Sequence, residues 1–139
     1  VVLTHANSDG KAGCLVEIRC QSKETLRNGT FAQFARDLCE HILASRPIWV
    51  SRTDIPWEKV REEERLIRAD AEKRFATSDH INDFLQEKMN AWYQKVCLME
   101  QPFYKDRSKV VGQVWQNLSE ALDDYIEIRR LACFAVEGD

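Results

Sequence analysis

The chain has 139 residues and a net charge of -3, with charges of both signs interleaved along it. That length suits one domain, and such a domain buries roughly two-thirds of its unfolded surface without metal or disulfide staples. A slightly acidic balance argues against nucleic acid as the main partner, since phosphate binding needs clustered Lys and Arg.

Val1 to Ala6 reads as a strand, followed by a turn at Asn7-Ser8-Asp9-Gly10. Cys14 to Cys20 is a second strand, with Cys14, Val16 and Ile18 on one face and Leu15, Glu17 and Arg19 on the other. The two are expected to form an antiparallel hairpin. Asn28-Gly29-Thr30 offers a turn and a helix N-cap. Phe31, Phe34, Ala35, Leu38 and Ile42 recur at helical spacing, so Thr30 to about Ser45 is an amphipathic helix that Arg46-Pro47 ends.

Ile48 to Ile55 is a connector, and Asp54 with Pro56 signals a new helix start. Trp57, Val60, Glu64, Ile67 and Ala71 form one stripe. Ile81, Leu85, Lys88, Trp92, Val96 and Met99 form another. Two such helices, broken at Thr77-Ser78-Asp79, predict an antiparallel helical hairpin. A charge interrupts each seam, which suits a projecting arm, and Pro102 closes the second helix. Tyr104 to Val110 reads as a polar connector. Val111 to Leu122 is a helix with Val111, Val114, Trp115 and Leu118 on its apolar face. Tyr125 to Val136 is the last strand, its alternation placing Ile126, Ile128, Arg130, Ala132, Phe134 and Val136 on one face. The predicted fold class is α+β: a small three-stranded antiparallel sheet packed by helices, with the hairpin projecting.

The five cysteines, Cys14, Cys20, Cys39, Cys97 and Cys133, are odd in number and show no Cys-x-x-Cys spacing. They read as free thiols in a reducing compartment, mostly buried, rather than as a disulfide framework or a zinc site. No run reaches the length of a membrane span, and no signal-peptide pattern is read. His5, His41 and His80 fall in no metal-ligand pattern. Glu62-Glu63-Glu64 and Asp123-Asp124 read as solvated helix faces or ends. Gly10-Lys11-Ala12-Gly13 lacks the spacing of a phosphate loop, so no nucleotide or other cofactor is expected. Trp57 and Trp92 are expected to pack at the base of the hairpin. Trp49, in a connector, is the expected surface contact. No constellation supports small-molecule catalysis.

Three segments carry a resemblance. They are Gly13-Cys14-Leu15-Val16-Glu17-Ile18, the run from Val96-Cys97-Leu98-Met99-Glu100-Gln101-Pro102-Phe103 to Tyr104-Lys105-Asp106, and Ile128-Arg129-Arg130. With Ala35-Arg36-Asp37, Arg46-Pro47 and Asp54-Ile55-Pro56 between them, in order and at similar spacing, the chain resembles translation elongation factor Ts. That resemblance implies a non-catalytic exchange factor that binds the GTPase elongation factor Tu and promotes GDP release during translation. It implies a short form with one core module, residues 1–139, its hairpin spanning about 56–101 and the family's N-terminal docking domain absent. Short forms of the family can pair through the core sheet, so the resemblance admits a homodimer. A histidine at the position of His41 often lies on a partner-facing helix in the family, which makes His41 a candidate contact beside Trp49.

One segment departs from the family pattern. A loop of Thr-Asp-Phe-Val-Ala, then Arg or Lys, then Asn, is replaced by Ser22-Lys23-Glu24-Thr25-Leu26-Arg27-Asn28. In the family, the Asp-Phe pair displaces elements around the nucleotide and magnesium of elongation factor Tu, the ring wedging into an apolar slot. Here Lys23 takes the Asp position and Glu24 the Phe position, which predicts weakened exchange. Where the family has Gly-Glu-Asn before the last strand, this chain has Asp123-Asp124-Tyr125. The resemblance leaves two functions side by side. One is an exchange factor with an altered tip, in a bacterial cytoplasm or an organellar matrix or stroma. The other is a degenerate relative serving as a structural subunit of a larger organellar complex.

Overall fold

The computed structural model describes residues 1–6 and 9–136. Strand β1 (Val2–Ala6) pairs antiparallel with β2 (Ala12–Cys20), and β2 pairs antiparallel with β5 (Ile126–Ala135), giving the sheet order β1-β2-β5. Of the expected first turn, Asn7 and Ser8 lie outside the described residues. Asp9 accepts a hydrogen bond from the Lys11 amide at 2.9 Å, and Gly10 takes φ 72°, a left-handed conformation that glycine adopts without a Cβ clash. The alternation read in β2 holds: Cys14, Val16 and Ile18 are buried.

The alternation read in β5 does not hold. Glu17 opposes Arg130 and Ile18 opposes Ile128, so Arg129 is an extra residue in a β-bulge. A bulge shifts the side-chain phase by one. Ile126 and Ile128 therefore face the core before it, and Leu131 and Cys133 after it. Arg130, Ala132 and Phe134 fall on the opposite face, where Phe134 is 71% exposed. Glu17 gathers both arginines, Arg130 Nε at 2.7 Å and Arg129 Nε at 3.8 Å.

Helix α2 (Gly29–Ser45) covers the inner face of the sheet with Phe31, Phe34, Ala35, Leu38, Cys39 and Ile42. The Asn28 side chain caps it, accepting from the amides of Thr30 at 2.8 Å and Phe31 at 3.2 Å. Arg46 ends it in the left-handed region, its amide bonded to the Ile42 carbonyl. Helix α5 (Val111–Leu122) closes the same core through Val111 and Leu118, with Val114, Trp115 and Leu122 packed beside them. Gly112 is in its first turn, where a Cβ would stand 3.0 Å from the Met99 carbonyl oxygen. Alanine there gains helix propensity but forces that backbone apart. Gly112→Ala is expected to cost about 1 kcal/mol net, read as a lowered thermal midpoint.

The helical arm is α3 (Trp57–Arg74) and α4 (Ser78–Val96), antiparallel and joined through Phe75, Ala76 and Thr77. Ala71 and Met89 are its buried seam residues. At the tip Phe75 packs on Phe84 with centroids 5.5 Å apart. At the base, Ile55, Val96 and Cys97 form a second small core with Trp49, Val60, Trp92 and Tyr93. The chain before the arm is stitched to the chain after it. Trp49 donates to the Val96 carbonyl at 2.9 Å and accepts from the Leu98 amide at 2.8 Å. Arg52 holds Glu100 through two bonds of 2.7 Å while lying 4.0 Å over the Tyr93 ring.

The segment read as a polar connector is a hairpin of its own. Strand β3 (Pro102–Phe103) pairs with β4 (Asp106–Val110). Its side chains are almost all exposed, so it carries no alternation that would mark it in the sequence.

Candidate partner-facing site

Ser22 to Asn28, expected as a loop, forms a short helix, α1 (Lys23–Arg27). Ser22 starts it by accepting from the Glu24 amide at 3.1 Å, and the Asn28 amide closes it on the Thr25 carbonyl at 3.1 Å. Glu24 in the first turn and Arg27 in the last suit the helix dipole. Five residues make no independently stable helix, so the conformation is imposed from outside. Thr25 supplies that contact: it is 5% exposed, and its hydroxyl donates to Asp124 at 2.7 Å. Lys23, Glu24, Leu26 and Arg27 face solvent.

The segment therefore presents one cation, one carboxylate, one aliphatic side chain and a second cation on a single exposed turn. Leu26 lines a mainly apolar groove of ≈ 270 Å³ together with Val1, Leu3, Phe31, Ala35 and Cys39. This surface can offer charge and modest apolar area to a partner.

His41 is elsewhere. It has no exposed surface, so a partner docking on the folded chain does not touch it, and the contact expected there is corrected. Its Nδ1 accepts from the Tyr104 amide at 3.2 Å. The proton then resides on Nε2, which donates to Gln101 Oε1 at 2.8 Å. Gln101 in turn donates to the Lys95 carbonyl at 2.8 Å. Burial pushes the His41 pKa down, against the opposing effect of Gln101. The histidine ties α2 to the end of α4 and the start of the β3–β4 hairpin.

Of the tryptophans, Trp57 does not pack at the arm base as expected. Trp49 is half-buried, edge-on to Trp92 with centroids 6.3 Å apart, and packs at the arm base. Trp57 is 62% exposed, with the Arg61 guanidinium 5.2 Å over its ring. The reason is position: Trp57 is the first residue of α3, outside the seam that the later stripe residues form.

Asp124, expected as a solvated helix face or end, instead bonds the segment from Gln21 to Thr25. Its pKa is lowered, first by the Thr25 hydroxyl and then by the backbone amides of Ser22, Gln21 and Tyr125. A carboxylate directly after a helix and before a strand was the available signal, but its target lies 99 to 103 residues earlier. Burial pushes the Cys97 thiol up to about 11, leaving it protonated at neutral pH. Among the described residues, no group of three or more His, Cys, Asp or Glu is placed to hold a metal ion, and no helix is long and apolar enough to cross a membrane.

Comparison with known proteins decides the family. The family model described as Elongation factor TS matches residues 1–137. The chain belongs to the elongation factor Ts family. It is similar to Elongation factor Ts of Acetivibrio thermocellus, 33% identical over 134 residues, covering 96% of this chain and 62% of that protein. It is likewise similar to Elongation factor Ts of Geobacter sulfurreducens, 32% identical over 133 residues with 96% and 62% covered. Against Elongation factor Ts of Koribacter versatilis it is 34% identical over 138 residues, with 99% and 63% covered. The chain thus spans a little over three-fifths of the length of these elongation factor Ts relatives. Within the matched residues, the exposed first turn of α1 carries Lys23 and Glu24.

Proposed function

We propose that the chain binds elongation factor Tu and promotes GDP release during translation elongation, with exchange weakened by its altered segment. The observation that carries this reading is the family match over residues 1–137. The mechanism needs no bond chemistry. A protein that binds the nucleotide-free GTPase more tightly than the GDP-bound form lowers nucleotide affinity, and GDP lowers the protein's affinity by the same factor. In this reading Ser22 to Asn28 is the part that meets the nucleotide-binding domain.

Glu24 at the wedge position gives up the burial of a phenyl ring, about 2 kcal/mol, and adds the cost of desolvating a carboxylate. The double substitution Lys23→Asp with Glu24→Phe is therefore expected to speed GDP release from a cognate elongation factor Tu by about 10- to 30-fold. Stopped-flow release of a fluorescent GDP measures it. If neither release nor binding changes, this segment does not engage the GTPase and the exchange reading fails.

A second copy of the chain fits the same reading. Val2, Leu15 and Phe134 are exposed on the sheet, and β1 and β5 both have free edges among the described strands. The reading places the protein wherever elongation runs, in a bacterial cytoplasm or an organellar matrix or stroma.

A further inference from the structure

We propose that Asp124 is a positioning residue for exchange: it sets the conformation in which Ser22 to Asn28 is offered to the GTPase. The proposal rests on the exchange reading above and names a residue outside the segment itself.

Both oxygens of the carboxylate are committed to one short stretch of chain. Oδ1 accepts from the Gln21 amide at 3.1 Å. Oδ2 accepts from the Ser22 amide at 3.1 Å and from the Thr25 hydroxyl at 2.7 Å. These three donors span the exit of β2 and the first turn of α1, so the bonds fix the direction in which the segment leaves the sheet. The far half of the segment has its own local anchor in the Asn28 cap. The near half has, besides Asp124, the Cys20 thiol on the Ser22 carbonyl at 3.5 Å and the Ser22 cap. Asp124 is thus what ties that half to a distant part of the fold.

The carboxylate is itself held in place. Asp123 ends α5 in the left-handed region at φ 48°, with its amide on the Glu120 carbonyl at 3.2 Å. The Asp124 amide bonds the Ser119 carbonyl at 3.2 Å. The turn aims the Asp124 side chain across the end of the sheet at α1. Charge-assisted bonds to a fixed carboxylate are stronger than neutral ones. Lys23 and Glu24 occupy the turn immediately inside this clamp. Release of the clamp leaves the segment to be ordered during docking, which lowers the rate of the step that the segment performs.

The test uses the full chain with elongation factor Tu loaded with fluorescent GDP, and reads amide hydrogen exchange at Gln21 and Ser22 by NMR in parallel. Asp124→Ala is expected to speed exchange at both amides by about tenfold or more and to lower the maximal GDP-release rate by about five- to tenfold. Asp124→Glu, which keeps the charge one methylene further out, is expected to restore most of the release rate. Thr25→Val removes the shortest of the three bonds at nearly constant volume and gives an intermediate loss if Asp124→Ala folds poorly. A wild-type chain that releases GDP, with Asp124→Ala and Thr25→Val releasing it equally fast, overturns the positioning role alone. A wild-type chain that releases no GDP overturns the exchange reading and the positioning role with it, whatever the amides show. Loss of release in Asp124→Ala without faster amide exchange also overturns the clamp.

Discussion

Leu38→Ala will remove about 3 kcal/mol of stability, within the 2–5 kcal/mol typical of a fully buried leucine. Leu38 has no exposed surface and sits midway along the α2 stripe, in one core with Val16 and Ile18 of β2 and Ile126 and Ile128 of β5. The cost has two parts: burial of the lost methyls and methine, and the cavity left between a helix and a sheet that cannot both collapse into it. A domain of this kind has about 5–15 kcal/mol in total, so this one change takes a large fraction. Urea denaturation followed by circular dichroism will show a lower midpoint with an unchanged slope. An unchanged midpoint would mean that α2 does not pack on the sheet as described.

His41→Leu will cost a further class of energy, about 2–4 kcal/mol, although the substitution keeps a buried apolar volume. It leaves Gln101 Oε1 without its donor and the Tyr104 amide without its acceptor, both at the junction of α2, α4 and the β3–β4 hairpin. The wild-type chain should also show a pH dependence that the variant lacks. Folding holds His41 neutral and depresses its pKa from 6.5 by burial. The unfolded chain takes up the proton first as pH falls. Stability from this group is therefore complete above the ordinary histidine value and declines below it, by up to about 1.4 kcal/mol per pH unit, until the folded pKa is reached. Midpoints at pH 7.5 and 5.5 for the two chains measure the difference. Parallel pH dependences would remove His41 as the cause.

Local period made most of the fold legible. The stripes of α2, α3, α4 and α5 announced four helices and an arm, and β2 announced its buried face through Cys14, Val16 and Ile18. The bulge at Arg129 was hidden because Ala132 and Phe134 are apolar too, so the alternation reads straight through the extra residue. The β3–β4 hairpin was hidden because neither face of Asp106–Val110 is buried. Pattern also misplaced Trp57, since a stripe does not tell which turn of a helix has a neighbour. At the site, the position of Ser22 to Asn28 came from resemblance and its shape did not. A five-residue helix is held by a carboxylate a hundred residues away, and no local signal encodes a contact of that range.

The arm has a different relation to the rest of the molecule than any other element. Its base is the small core around Cys97 and Trp49, whereas Ala71 and Met89 are buried in the seam between its two helices and Phe75 packs on Phe84 at its tip. Energies in such a pair of helices run lengthwise from one turn to the next, as in a ladder clamped at one end. A lost or added turn near the tip is then absorbed by its immediate neighbours and leaves the three-stranded body untouched. The sheet and its covering helices, by contrast, are bound by one shared interior, so a change in any of them reaches the others.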